Sequence, residues 1–153
     1  MIALVVDGEP VLGAIGNPAT GLCVCGAVGH GVQVDGDPGL GWQHAGDRLR
    51  LLVSRSEWQR GEWRHAAAAG CEALPMGSVA YKLALVAAGG ADATWTRHPK
   101  HEWDVAAGAA LVRAAGGEVW LPHGGALHWN AARPRLPSFA AARAGVRPRL
   151  AAL

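Results

Sequence analysis

The stretches Met76-Gly77-Ser78-Val79-Ala80-Tyr81-Lys82-Leu83-Ala84-Leu85-Val86-Ala87-Ala88-Gly89-Gly90 and Glu102-Trp103-Asp104-Val105-Ala106-Ala107-Gly108 each read as the opening of an apolar helix. Ser78 is a good N-cap, and Gly89-Gly90 stops the first helix at about Ala88. The second helix runs to about Ala115, with Asp104 in its first turn and Gly116 at its C-cap. A carboxylate there gains from unpaired amides and the positive end of the helix, so it is held and stays ionised. Rigid ionised oxygen suits a hard cation such as Mg²⁺. Taken alone, Asp104 reads first as a stabiliser of the helix start. The Gly77-Ser78 turn carries the same double reading, since amides at a helix start also receive phosphate or polar ligand groups. Lys82 follows Ser78 by about one turn on the same face. Taken by itself, it reads as a solvated surface lysine.

Upstream, the pattern is β. Ile2 to Val6 is a continuous apolar run ending at Asp7-Gly8, a tight-turn signal, after which Val11 to Ile15 resumes the strand pattern. Asn17-Pro18 and Thr20-Gly21 mark the next turn, and Leu22 to Val28 alternates as a third strand. Gly29 to Gly46 is glycine-rich and reads as mostly loop, with room for a short hairpin arm. Leu49 to Val53 is a compact buried strand followed by a Ser54-Arg55-Ser56 turn. Glu57 to Gly70 turns helical, with Gly70 as its cap. Strands are expected at Cys71 to Pro75, Ala91 to Trp95, Glu118 to Leu121 and Leu127 to Trp129. The sequence thus predicts an α/β, layered architecture in one partial domain. Residues 1–53 supply antiparallel strands, 54–132 alternate strand and helix, and 133–153 form a Pro/Arg-rich, solvated tail.

Composition narrows the function. A chain of 153 residues, half of them apolar, can bury one ordinary core. A net charge of +2 and a pI near 8.6 give no reason to expect nucleic-acid binding. Cys23, Cys25 and Cys71 are too few and too unevenly spaced for a disulfide framework, and they suit a reducing compartment. Cys23 and Cys25 share one face of a strand, but no second Cys/His pair at a zinc spacing follows them. His98 and His101 are three apart in a loop with Pro99, which gives them no fixed face. There is no Gly-x-Ser-x-Gly elbow, dinucleotide fingerprint or Walker-type phosphate loop. No signal peptide or membrane-length apolar run is evident, so the expectation is a soluble, cytoplasmic protein.

The run from Met76 to Asp92, continuing through Pro99-Lys100-His101-Glu102-Trp103-Asp104-Val105-Ala106-Ala107-Gly108, resembles the second half of the inositol monophosphatase family. Within it, the chain is most similar to the bacterial 3'(2'),5'-bisphosphate nucleotidases. Ile2 to Gly13 and Ser54-Arg55-Ser56 agree in order. The resemblance implies the carboxyl-terminal half to two-thirds of an α-β-α-β-α phosphatase fold. The acidic pair and the Asp-Pro-x-Asp-Gly-Thr signature that carry most metal ligands in the family would precede Ile2, and only Met1 stands there. The resemblance further implies hydrolysis of a phosphate monoester with Mg²⁺, Asp104 as one metal ligand, and substrate contacts from Gly77, Ser78, Val79, Lys82 and Arg97. Arg97 stands one residue out of register with the family spacing to the Trp-Asp pair.

The implied substrate is a small phosphorylated compound: a nucleotide bisphosphate, with adenosine 3',5'-bisphosphate preferred, or a sugar or inositol phosphate. With the other metal ligands lacking, the chain is expected to be inactive alone. The alternative is a non-catalytic remnant that binds a nucleotide or a partner. An unrelated α/β structural subunit is the third reading. The upstream helices that cover the first sheet in the family are also lacking, so self-association through that sheet is expected.

Overall fold

The computed structural model describes residues 1–39, 47–151 and 153. The chain opens with an antiparallel meander. Strand β1 (Ile2–Val6) turns at Asp7-Gly8, both at positive φ, into β2 (Glu9–Asn17). Strands β3 (Leu22–Ala27) and β4 (Gly31–Asp35) complete a four-stranded sheet in the order β1-β2-β3-β4. The glycine-rich stretch expected to be mostly loop therefore contains a strand. Val32 and Val34 pair with Gly26 and Val24, and the glycines at 29, 31 and 36 make the turns around it. Residues 40–46 of that stretch lie outside the described residues.

The second sheet is five-stranded, in the order β6-β5-β7-β11-β9. Strand β5 (Leu49–Ser54) pairs in parallel with β6 (Cys71–Met76) and β7 (Ala93–Thr96). Leu49 to Val53, read from sequence with the antiparallel first part, thus belongs to the second sheet. Strands β9 (Glu118–Trp120) and β11 (Phe139–Ala142) add antiparallel pairs. A two-residue pair joins β8 (Lys100–His101) to β10 (Arg135–Leu136).

Three expectations fail. Glu57 to Gly70 is not one helix: α1 (Arg55–Gln59) stops after five residues. Gly61, in the left-handed region at φ 75, breaks the run, and Trp63 folds inward to donate to Glu57. The alanines beyond it form successive turns. Leu127 to Trp129 forms no strand. The expected solvated tail instead supplies β11, whose four residues are buried in the sheet between β7 and β9, and the 3-10 turn Arg147–Leu150.

Helices α2 (Val79–Ala87) and α3 (Glu102–Ala114) lie between the two sheets and share one core with both. The layers approach closely because glycine permits it. A Cβ at Gly13 on β2 would collide with the Ala107 carbonyl of α3, and one at Gly108 with the Leu83 side chain of α2. Ile15, Leu22 and Val24 of the first sheet pack against these helices. The opposite face of that sheet, carrying Ile2, Leu4 and Leu12, is exposed. No helix among the described residues is long and apolar enough to cross a membrane.

Candidate active site

Strands β5, β6 and β7 run parallel, and each leads toward a helix. Ser54-Arg55-Ser56 after β5, Gly77-Ser78 after β6 and the segment from Arg97 to Asp104 after β7 therefore leave the same edge of the sheet. Ligands of open α/β sheets bind outside the carboxyl ends of such strands. The turn at Ser78 is strained, with φ 59, and its Oγ accepts a hydrogen bond from the Tyr81 amide at 3.2 Å. Gly77 leaves room for Arg55, whose guanidinium would lie 2.9 Å from a Cβ there.

A cavity of about 450 Å³ opens between these turns, lined by Ser54, Arg55, Ser56, Gln59, Met76, Gly77, Ser78, Val79, Lys82 and Lys100. It holds three cationic side chains, and its lining includes no carboxylate. Lys82 is only 2% exposed, so it is not the solvated lysine of the alternative reading. Its ammonium has no hydrogen-bond acceptor or ion-pair partner among the described residues. Burial pushes its pKa down to about 8; Glu57 counters that effect and Lys100 adds to it. A second cavity shares Arg55, Gly77 and Ser78 and reaches Met1. Met1 in turn borders a third, beside Glu102, Trp103 and Trp129.

Asp104 is half-buried in the first turn of α3 and makes no side-chain hydrogen bond or ion pair among the described residues. It lines neither the Gly77 cavity nor the one beside Glu102 and Trp103. Its neighbour Glu102 is buried and committed to the fold: its carboxylate accepts from the amides of Asn130 at 2.7 Å and Ala131 at 3.4 Å. Arg97 points elsewhere. Its guanidinium lies 4.7 Å from the Trp63 ring centroid, with Nη2 2.9 Å from His65 Nε2 and donating to the Leu153 carbonyl at 3.3 Å.

The structure adds residues that the sequence did not single out. Glu57 is buried and accepts from Trp63 Nε1 at 2.9 Å, Thr96 Oγ1 at 2.8 Å and the Arg97 amide at 3.1 Å. Its partners lie up to forty residues away in sequence, so no local pattern announces it. Lys100 of β8 and Arg55 of α1 join Lys82 of α2 only because three separate elements meet.

Could these residues hold a divalent cation? Glu57, Glu62 and His98 bring three potential ligand atoms within 4.8 Å of one another. They are already mutually satisfied, however: Glu57 has three donors, and Glu62 takes His98 and Arg60, which hold its pKa below the usual range. That leaves Asp104, in the first turn of α3, as one uncommitted carboxylate. A single carboxylate does not make a Mg²⁺ cage, because the ion surrenders its waters reluctantly. The described residues alone do not fit a complete metal cluster.

Comparison with known proteins identifies the family and the fold. The sequence profile of the inositol monophosphatase family matches residues 1–150. Inositol monophosphatase 3 of Danio rerio is 31% identical over 127 residues, covering 78% of this chain and 36% of that protein. Inositol-1-monophosphatase of Mycobacterium leprae is 33% identical over 132 residues, covering 79% and 45%. The crystal structure of CysQ from Bacteroides thetaiotaomicron, described as a bacterial member of the same family, superposes with a TM-score of 0.75 at 28% identity, covering 92% of this chain and 60% of that one. The suhB protein of Bartonella henselae superposes at 0.73 and 27% identity, covering 97% and 60%. The chain thus spans less than half the length of these two sequence relatives. With the profile matched along nearly its whole length, and the layered fold shared, the chain belongs to the inositol monophosphatase family.

Proposed function

We propose that this chain forms one wall of a Mg²⁺-dependent phosphate-monoester hydrolase acting on a small bisphosphorylated substrate, with adenosine 3',5'-bisphosphate, hydrolysed to AMP and phosphate, as the preferred compound. The observation that carries this reading is the cavity lined by Arg55, Lys82 and Lys100 without a carboxylate. A buried ammonium without an acceptor is costly, and a phosphate group offers both charge and acceptor oxygens. Gly77, Ser78 and Val79 at the start of α2 line the same cavity, and a helix start favours an anion. Asp104, in the first turn of α3, contributes one carboxylate to the metal-bearing side. A substrate with two separated phosphates engages the cationic cavity and the metal-bearing side together, which a monophosphate does not.

Catalysis of this type rests on placing charge around the transferred group. Asp104 alone cannot place metal ions, so the chain by itself has no significant phosphatase activity. That same shortage of ligands favours a second reading, a non-catalytic member that retains nucleotide binding through Gly77, Ser78, Val79 and Lys82. Calorimetry with adenosine 3',5'-bisphosphate, AMP and inositol 1-phosphate tests the substrate class. The bisphosphate should bind at least about tenfold more tightly than either monophosphate, and Lys82→Met should erase the difference. Equal affinities for all three would refute the bisphosphate assignment. Mg²⁺-dependent phosphate release by the chain alone, abolished by Asp104→Asn, would refute the inactivity.

A further inference from the structure

Lys82 and Lys100 are the only lysines of the chain, and both line the cavity beside Gly77-Ser78. They reach it from different elements, Lys82 from α2 and Lys100 from β8. Their surroundings differ. Lys100 is half-buried, and its amine donates to the Pro99 carbonyl at 3.4 Å. Lys82 is 2% exposed, and no acceptor among the described residues holds its amine. Glu57 attracts the Lys82 charge, but its carboxylate is already taken by Trp63, Thr96 and the Arg97 amide. Burial, with Lys100 adding to it, brings the Lys82 pKa down to about 8. A desolvated lysine beside another cation is a nucleophile rather than a solvated charge. The same cavity holds Arg55 and a pair of hydroxyls, Ser54 Oγ and Ser56 Oγ, 2.9 Å apart.

We propose that Lys82 is a site of reversible covalent modification: its amine captures a small phosphorylated aldehyde as an imine, while Arg55, Lys100 and the Gly77-Ser78 turn hold the phosphate. This inference rests on the reading of the cavity as a phosphate seat. The neutral Nζ attacks the aldehyde carbon, a C–N bond forms, and the carbonyl electron pair moves to oxygen. That oxygen takes a proton as the nitrogen loses one, giving a carbinolamine. Loss of water then leaves the imine, with no change of oxidation state and one water released per adduct. The serine hydroxyls supply groups in the same cavity that can pass the proton. Arg55 is fixed in its charge and cannot form the bond, so it positions the phosphate only. Phosphate binding brings the aldehyde to the amine and makes the capture selective. The adduct occupies the seat that the bisphosphate needs, so modification shuts the site, and hydrolysis of the imine reopens it.

The test uses the full chain with pyridoxal 5'-phosphate as the probe and unphosphorylated pyridoxal as its control. After borohydride reduction, peptide mass spectrometry reads each amine. At about pH 8, Lys82 should be labelled at least about tenfold faster than Lys100. Pyridoxal should label Lys82 at least about tenfold more slowly than its phosphate does. Inorganic phosphate should protect Lys82 and leave the Met1 amine labelled. Lys82→Arg should abolish the imine absorbance while still binding inorganic phosphate, which shows that the variant is folded. Arg55→Met should reduce the phosphorylated probe to the rate of pyridoxal. Two results overturn the inference. If the phosphorylated probe competes with inorganic phosphate yet leaves Lys82 unmodified, the imine fails and the phosphate seat stands. If pyridoxal and its phosphate label Lys82 equally and phosphate does not protect, the seat itself falls and the inference with it.

Discussion

The Oε1 atom of Glu57 accepts the Thr96 hydroxyl at 2.8 Å, which ties the first turn after β5 to the end of β7 inside the protein. The other carboxylate oxygen takes the Trp63 indole. Glu57→Gln turns an amide N–H toward one of these donors. It should cost about 2–4 kcal/mol, read from the urea midpoint at constant m-value. A loss below about 0.5 kcal/mol would show that the network is dispensable.

Lys82 gives stability a pH dependence of known sign. Its pKa is about 8 when folded and 10.5 when free, so the folded chain releases this proton first. The burden of burying the charge is full below about pH 8 and is relieved as pH rises toward 10.5. Lys82→Met should therefore stabilise the chain at pH 7, on the order of 3 kcal/mol, with the gain shrinking across that window. Urea titrations of both proteins at pH 7 and pH 10 check this. Binding of the bisphosphate should weaken as pH passes 8, because the anion requires the charged amine.

At Ser78 the hydroxyl caps α2 while the backbone sits at φ 59. Ser78→Ala loses the cap and keeps the strain, at a cost of about 1–2 kcal/mol. Ser78→Gly loses the cap but relaxes the backbone, so it should cost less. Thermal midpoints in the reverse order would contradict the geometry.

The paired acids at the start of α3 should separate by function. Asp104→Asn removes only a favourable charge near the helix end, about 0.3–1 kcal/mol. Glu102→Gln should cost more, about 1–3 kcal/mol, because it disturbs the acceptor of the Asn130 and Ala131 amides. Chemical denaturation of the two variants side by side decides it.

Close approach of the layers supplies a packing prediction. Gly108→Ala drives a methyl into Leu83 and should cost about 1–3 kcal/mol. Gly16→Ala meets nothing within 4 Å and should stay within about 0.5 kcal/mol of the parent.

What the sequence disclosed followed from local rules. Asp7-Gly8 dictates its hairpin, Ser78 and Gly89 bound α2, and the first turn of α3 carries its acids. What it concealed depended on distant partners. The alanines after Trp63 look helical, yet Gly61 at φ 75 and the pull of Glu57 on Trp63 divert them. Phe139 to Ala142 lacks alternation because both of its faces are buried, so it resembles the tail around it. Lys82 looks like surface, and only the fold shows it enclosed with Arg55 and Lys100.

Strand β11 sits between β7 and β9, although it is made after both. During synthesis, β9 has no neighbour until residues 139–142 have left the ribosome. The second sheet therefore closes late, by insertion rather than by growth at its border. A nascent chain halted before residue 139 would present two open ladders to the cell's chaperones and proteases.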